Sequence, residues 1–388
     1  MIPYAHQNIS EEDIDAVCEV LRSDYLTTGP KVPEFEAALE NYTGAKYAVA
    51  VSSGTAALHL SMLALGVGPG DLVYVSAISF AASANCALYV GAQVEFVDVD
   101  GDSGNMDMEV LEGMLKKARE QGRLPKAVVA VHLSGRCVDL AALKKLKQEY
   151  GFYLIEDAAH ALGATFENER VGCCSVSDIT VLSFHPVKII TTAEGGMCLT
   201  NDPRLGHALK QYSAHGITRD PLEMYERGRP DYYYEQQFLG FNYRMSDVQA
   251  ALGISQMERL DDFLKERREM AADYREMLCD TPGLKLPKPD SLSSESSWHL
   301  YQVAVPADRR DEIFKALRGK GVGVQVHYLP IYSHPYYQKL GRYQPLPGAE
   351  RFFASTLSIP LYVGLTHLSM QFTVASLKAL LDPDKVLL

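Results

Sequence analysis

Residues 179–202 read ITVLSFHPVKIITTAEGGMCLTND. Two apolar, β-branched runs, ITVLSFH (179–185) and GMCLTND (196–202), flank a turn that holds one lysine, Lys188. Runs of this kind read as strands covered on both faces. Most lysines are solvated surface charges. Here Ile189 and Ile190 are apolar, Phe184 and Pro186 are stiff, and Gly195-Gly196 lets backbone pass close to another group. A lysine in that setting loses solvation and its pKa falls. Its neutral amine then becomes a nucleophile toward carbonyls.

Outward from this stretch, strands and helices alternate from residue 46. The other strand candidates are KYAVAVSS (46–53), DLVYVSAI (71–78), QVEFVDVD (93–100), AVVAVHLS (127–134) and FYLIEDAA (152–159). Helical patterns such as TAALHLSMLAL (55–65) and DLAALKKLKQEYG (139–151) lie between them. This layout predicts an α/β fold with a mostly parallel seven-stranded sheet flanked by helices. Ligands of such sheets collect beyond the carboxyl ends of the strands. Before the sheet, Ser10 with Glu11, Glu12 and Asp13 caps a helix with an apolar stripe at Ile14, Val17, Val20 and Leu21, and TTGP (27–30) breaks the chain. After residue 203 the pattern changes. A polar, tyrosine-rich loop (219–237) precedes one long amphipathic helix predicted over 245–278. Strands at 298–307 and 322–329 around a helix at 309–319 then predict a smaller α+β unit. The predicted division is 1–255, including an N-terminal helical segment 1–30, and 256–388.

The bulk numbers narrow the function. The chain has 388 residues, 47% hydrophobic and 22% charged, with a net charge of −12. A field of that sign repels nucleic acid and anionic membranes, so an anionic ligand needs a local cluster of donors. The seven cysteines are scattered without a Cys-x-x-Cys spacing, which fits a reduced cytoplasm better than disulfides or a zinc site. MIPYAHQNIS lacks a basic start and an apolar run, so no signal peptide is expected, and no apolar stretch reaches the length of a membrane span.

Three strand ends carry chemistry-bearing residues. VSSGTAALHL (51–60) runs from strand through Ser-Gly-Thr into a helix, where backbone amides and the helix N-terminus suit a phosphate, although many such turns are plain helix caps. LIEDAAHALGA (154–164) ends an apolar strand in Glu156-Asp157, with His160 three residues on. A carboxylate there needs a partner: a structural ion pair, a magnesium ion or a cationic ring nitrogen. No second carboxylate cluster and no Gly-rich nucleotide loop supports magnesium. Ser183 and Lys188 form the third. A phosphate, an aspartate and a lysine together fit pyridoxal phosphate (PLP), whose aldehyde condenses with a lysine and whose ring nitrogen wants a carboxylate. Phe80, in AISFAASANC (77–86), offers an aromatic cover for the ring.

With these motifs in place, the chain resembles the sugar aminotransferases of the DegT/DnrJ/EryC1/StrS family over essentially its whole length. SDYLTTGP (23–30), SSGTAALH (52–59), EDAAHALGA (156–164), SFHPVKIITTAEGGM (183–197), SAHG (213–216) and GFNYRMSDVQAALG (240–253) carry the resemblance. It implies the fold type I architecture of PLP-dependent transferases. It also implies Lys188 as the lysine that takes the aldehyde, Asp157 at the pyridine nitrogen and His160 beside the ring. Gly54, Thr55, Ala56 and Ser183 are implied at the phosphate, and Phe80 stacked on the ring. Asn242 and Arg244 are implied to reach across a homodimer into composite sites. Lys31 and Arg244 are candidates for the substrate diphosphate, and His327 for the sugar. ITTAEGG (190–196), HLY (299–301) and VQVHYLPIYSHPYY (324–337) are similar to the aminotransferases of pseudaminic acid biosynthesis. Those enzymes make UDP-4-amino-4,6-dideoxy-N-acetyl-β-L-altrosamine from the 4-keto sugar nucleotide. The implied amino donor is L-glutamate, the implied output a surface or flagellin glycan, and no metal is implied. Another UDP- or dTDP-4-keto sugar remains an alternative substrate. The dehydratase branch of the family replaces the lysine with histidine, so Lys188 argues against it. A non-catalytic regulator on this fold would carry a DNA-binding domain, which no segment of this acidic chain resembles.

Overall fold

The computed structural model describes residues 1–382 except Leu292 and Arg342; the last six residues of the expected C-terminal unit lie outside that range. All seven predicted strands form, in one sheet: β1 (Tyr47–Val51), β2 (Leu72–Ser76), β3 (Gln93–Val97), β4 (Ala127–Val131) and β5 (Tyr153–Asp157), then, after the small hairpin β6 (Thr165–Phe166) and β7 (Glu169–Arg170), β8 (Ile179–Ser183) and β9 (Gly196–Thr200). Their order is β1-β9-β8-β5-β4-β2-β3, and only β9 runs antiparallel to its neighbours. The near-continuous apolar runs are explained by burial on both faces. Val73 and Val75 of β2 enter one core, and Leu72 and Tyr74 of the same strand enter another.

Helices α3 (Gly54–Ala64) and α4 (Ala82–Tyr89) cover the first face; α5 (Met108–Glu120) and α6 (Leu140–Tyr150) cover the second. Before the sheet come α1 (Glu11–Arg22), closed by a capping box between Ser10 and Asp13, and α2 (Lys31–Thr43). The helix α2 was not anticipated. Its Phe35 and Leu39 are fully buried in a third core that also takes Ile189, Ile190 and Phe184 from around the lysine turn. Each large side chain buried there contributes about 2 kcal/mol. After β9 come α7 (Pro203–Ser213) and the two-residue strands β10 (Ile217–Thr218) and β11 (Glu235–Gln236), which pair across the tyrosine-rich loop.

Two expectations for the C-terminal half need correction. The single helix over 245–278 is two, α8 (Asp247–Glu258) and α9 (Leu260–Leu278), broken at Arg259. That break lets Arg259 reach Asn8 and the carboxylate of Asp13. Asp13 is fully buried and also accepts from Ser255 Oγ and Gln256 Nε2, both at 2.6 Å, so a residue that reads as a helix-capping acid also clamps α1 to α8. The segment 322–329 is not a strand of a sheet; it makes isolated bridges at Val322 and Gln325. The strand β12 (Tyr301–Ala304) pairs instead with β13 (Thr356–Ile359). Around this pair lie α10 (Arg310–Gly319), as expected, then α11 (Pro335–Leu340), α12 (Pro347–Ser355) and α13 (His367–Leu381). Helix α9 bridges the parts: Phe263 and Leu264 belong to the core beneath the lysine turn, Tyr274 and Leu278 to the C-terminal core.

Candidate active site

The carboxyl ends of β1, β5 and β8 open into a cavity of about 410 Å³. Gly54 and Thr55 enter it from the start of α3, Asp157 from the last position of β5, and Ser183 from the last position of β8. His160, Lys188, Phe80 and His327, also singled out by the sequence, line it as well. The lysine turn is closed by Phe184 N–H to Gly195 O (2.9 Å), Thr192 N–H to Phe184 O (3.0 Å) and Lys188 N–H to His185 O (2.8 Å). Gly196 is required because any Cβ there would strike the Ser53 carbonyl, and Gly54 because its Cβ would lie 2.9 Å from Ser183 Cβ. The glycines therefore seat the N-terminus of α3 directly against the end of β8. Ser53 Oγ accepts from Ala56 N–H at 3.0 Å. The amides of Gly54 and Thr55 precede the first intrahelical bonds and are left for a ligand. Ala56 itself does not line the cavity.

The electrostatics follow from burial. Lys188 is half-buried along the cavity wall, with its amine withdrawn from bulk water. Burial pulls its pKa from 10.5 down to about 8, opposed only by the Asp157 carboxylate, which favours the charged form. Asp157 is buried; it accepts from Ser83 Oγ at 2.5 Å and from Ala159 N–H at 3.2 Å, and Ser79 Oγ lies 2.6 Å behind Ser83 Oγ. Glu156, its neighbour in sequence, points to the opposite side of the strand. There it meets His132 Nε2 at 2.7 Å, a structural partnership that keeps Glu156 out of the cavity. Burial drives the His160 pKa well below its usual value and that of His327 down to about 4, each with a further push from Lys188. Both rings are neutral at pH 7.

Phe80 is 62% exposed at the cavity mouth, its ring 6.3 Å from that of Tyr328. Three residues lie apart. Lys31 pairs with Glu34 at 2.7 Å outside the cavity. Asn242 and Arg244 are exposed and bridge Ala214 and Val51. Arg244 thus sits beside the end of the strand that leads into Ser-Gly-Thr, yet does not line the cavity.

Residues 7–378 match the DegT/DnrJ/EryC1/StrS aminotransferase family. This chain belongs to that family. Among its DegT/DnrJ/EryC1/StrS relatives, the UDP-4-amino-4,6-dideoxy-N-acetyl-beta-L-altrosamine transaminase of Campylobacter jejuni is 38% identical over 391 residues, 99% of each chain. The spore coat polysaccharide biosynthesis protein SpsC of Bacillus subtilis is 37% identical, over 94% of this chain and 93% of its own. Among solved structures, Helicobacter pylori PseC, an aminotransferase involved in the biosynthesis of pseudoaminic acid, superposes with a TM-score of 0.89 at 32% identity, covering 98% of this chain and 99% of its own. The chain is an aminotransferase of the α/β architecture that the motifs imply.

Several cavity residues escaped the sequence reading. Ser79 and Ser83 flank Phe80, and Ser83 is spaced one helical turn from it, a signal that could have been used. Tyr328 adjoins His327. Tyr4 arrives from the N-terminal strap, which is held by Ile2 N–H to Gly321 O (2.8 Å), and its ring lies 5.4 Å from that of His327. Nothing in the sequence places residue 4 there.

Proposed function

We propose that the protein is a PLP-dependent aminotransferase that moves an amino group from L-glutamate to the C4 keto carbon of a UDP-4-keto-6-deoxy-N-acetylhexosamine. The product is UDP-4-amino-4,6-dideoxy-N-acetyl-β-L-altrosamine, an intermediate toward pseudaminic acid for a surface or flagellin glycan. The observation that carries this reading is the desolvated amine of Lys188 facing Asp157 in one cavity, beside the free amides that open α3.

The cavity fits the cofactor. A basic amine with a pKa near 8, a buried carboxylate and a helix N-terminus are the three complements of an aldehyde, a ring nitrogen and a phosphate. PLP, when bound, supplies the carbonyl that receives the amino group and a ring that accepts electrons. Lys188 Nζ would hold the aldehyde in the resting enzyme. During turnover, freed and neutral, it would carry the proton to and from the reacting carbon of each substrate. Asp157, held by Ser83 and the Ala159 amide, would keep the ring nitrogen protonated. Gly54 and Thr55 N–H and Ser183 Oγ would bind the phosphate, Phe80 would close over the ring, and His160 would lie against it. Homodimer formation brings Asn242 and Arg244 of each chain toward the other's cofactor and diphosphate; their exposure away from their own cavity supports this. Lys31 adds a cation for the diphosphate, and His327 a neutral contact to the sugar. We place the boundary between a PLP-binding unit and a smaller C-terminal unit at 255/256.

Among the described residues, no helix is long and apolar enough to cross a membrane, and we place the enzyme in the cytoplasm, where nucleotide sugars are made. Incubation with L-glutamate and a panel of UDP- and dTDP-4-keto sugars, followed by mass spectrometry, tests the substrate. Amination of the UDP-N-acetylhexosamine substrate is expected; exclusive amination of a dTDP sugar would reassign it.

A further inference from the structure

Tyr328 stands on the wall of the same cavity, and its hydrogen bonding can be read in one direction only. Ser134 N–H donates to His160 Nδ1 at 3.2 Å. A backbone amide can only donate, so Nδ1 carries no proton. The amide is held in place by its surroundings: Ser134 adopts a left-handed conformation (φ 63°), and Leu300 N–H and Ser297 N–H anchor this turn at Ser134 O (3.4 Å) and Gly135 O (3.1 Å). His160 is buried and neutral. A neutral imidazole with a bare Nδ1 has its proton on Nε2. His160 Nε2 lies 3.2 Å from Tyr328 Oη. The imidazole is therefore the donor and the phenol oxygen the acceptor.

Tyr328's own O–H is left pointing elsewhere, and Tyr328 Oη makes no second hydrogen bond among the described residues. Burial, with Tyr4 and Asp157 nearby, raises the phenol pKa, so the proton stays on. The ring faces the space that Lys188 and Asp157 share.

We infer that Tyr328 Oη–H is a directed hydrogen-bond donor to an oxygen of the ligand that reacts at Lys188, with Ser134 and His160 setting its direction. A donor aimed at a carbonyl or phenolate oxygen stabilises the negative charge that grows there. Two oxygens share this chemistry, the keto oxygen of the sugar and the ring oxygen of the cofactor. The inference rests on the aminotransferase reading above.

Two measurements test it. In the full-length protein labelled with ¹⁵N-histidine and assigned with His160→Gln, the His160 resonances should report protonation at Nε2 alone. Protonation at Nδ1 would overturn the relay whether or not any substrate is found. In the holoenzyme, Tyr328→Phe keeps the ring and removes the donor. We expect the half-reaction with the keto sugar to slow about 100-fold and the half-reaction with L-glutamate to change less than about threefold, which assigns the donor to the sugar. Slowing in both, with a displaced cofactor absorbance band, assigns it to the cofactor oxygen. Rates within about threefold of wild type in both half-reactions, or slowing in both with an unmoved band and a lowered Tm, would overturn the inference. Failure of the wild type to aminate any keto sugar would sink the substrate reading and leave the Nε2 result to decide this one.

Discussion

Replacing Lys188 with methionine removes a buried charge and keeps most of the side-chain volume, and the consequence for stability can be worked through. In the unfolded chain the amine titrates near 10.5; in the folded, ligand-free protein it titrates at about 8. The folded-state pKa is depressed, so between these values the unfolded chain binds more protons and stability rises with pH. The term is fully unfavourable below pH 8 and vanishes above 10.5. That difference in proton affinity corresponds to about 3 kcal/mol. Lys188→Met should therefore be the more stable protein at pH 7, before any difference in methionine packing. Raising the pH to 9 should return about 1 kcal/mol to the wild type alone. Urea unfolding of both ligand-free proteins at pH 7 and pH 9, at fixed protein concentration, measures the difference between them and cancels the titration of the buried tyrosines common to both. A gap that stays constant between the two pH values would mean that Lys188 keeps an ordinary pKa, and the desolvation argument would fail.

Three further outcomes are expected. Ser83→Ala removes one of the two donors to buried Asp157; it should cost about 1–3 kcal/mol in denaturant unfolding and slow both half-reactions, and an unchanged unfolding curve would show that water replaces the hydroxyl. Asp157→Asn should permit cofactor binding but slow single-turnover transamination about 100-fold or more; wild-type rates would reject a ring-nitrogen partner. An Asn242/Arg244 double variant and a Lys188 variant, each nearly inactive, should regain up to about a quarter of wild-type activity after subunit exchange, because half of the dimers are mixed and each mixed dimer has one intact site. Mass-tagged heterodimers without activity would place these residues in one subunit's site.

The sheet was legible because parallel strands buried on both faces leave unbroken apolar runs, and all seven stand where those runs lie. The edges of the molecule were less so. The helix α2 begins immediately after TTGP and carries Pro33 in its first turn, which hides its start. The break at Arg259 accompanies its contact with Asp13, 246 residues away in sequence. The strand β13 is four residues long and pairs with β12, while 322–329 meets β13 only at the isolated bridge of Gln325 with Ser358. The cavity shows the same division. Lys188, Asp157, Ser183 and the Ser-Gly-Thr turn sit at strand ends, where chain position alone fixes location. Ser83, Tyr328 and Tyr4 come together only through the packing of α4, the C-terminal segment and the N-terminal strap. Lys31, Asn242 and Arg244 were singled out by resemblance, and one chain does not bring them to its own cavity.

The central claim is that Lys188 is the residue that holds the cofactor. Reduction of the PLP-loaded protein with borohydride, proteolysis and peptide mass spectrometry test it directly. The expected result is one stoichiometric adduct, on the peptide containing Lys188, which disappears when L-glutamate is added before the reductant. An adduct on any other lysine, or none in a protein that aminates its substrate, would contradict it.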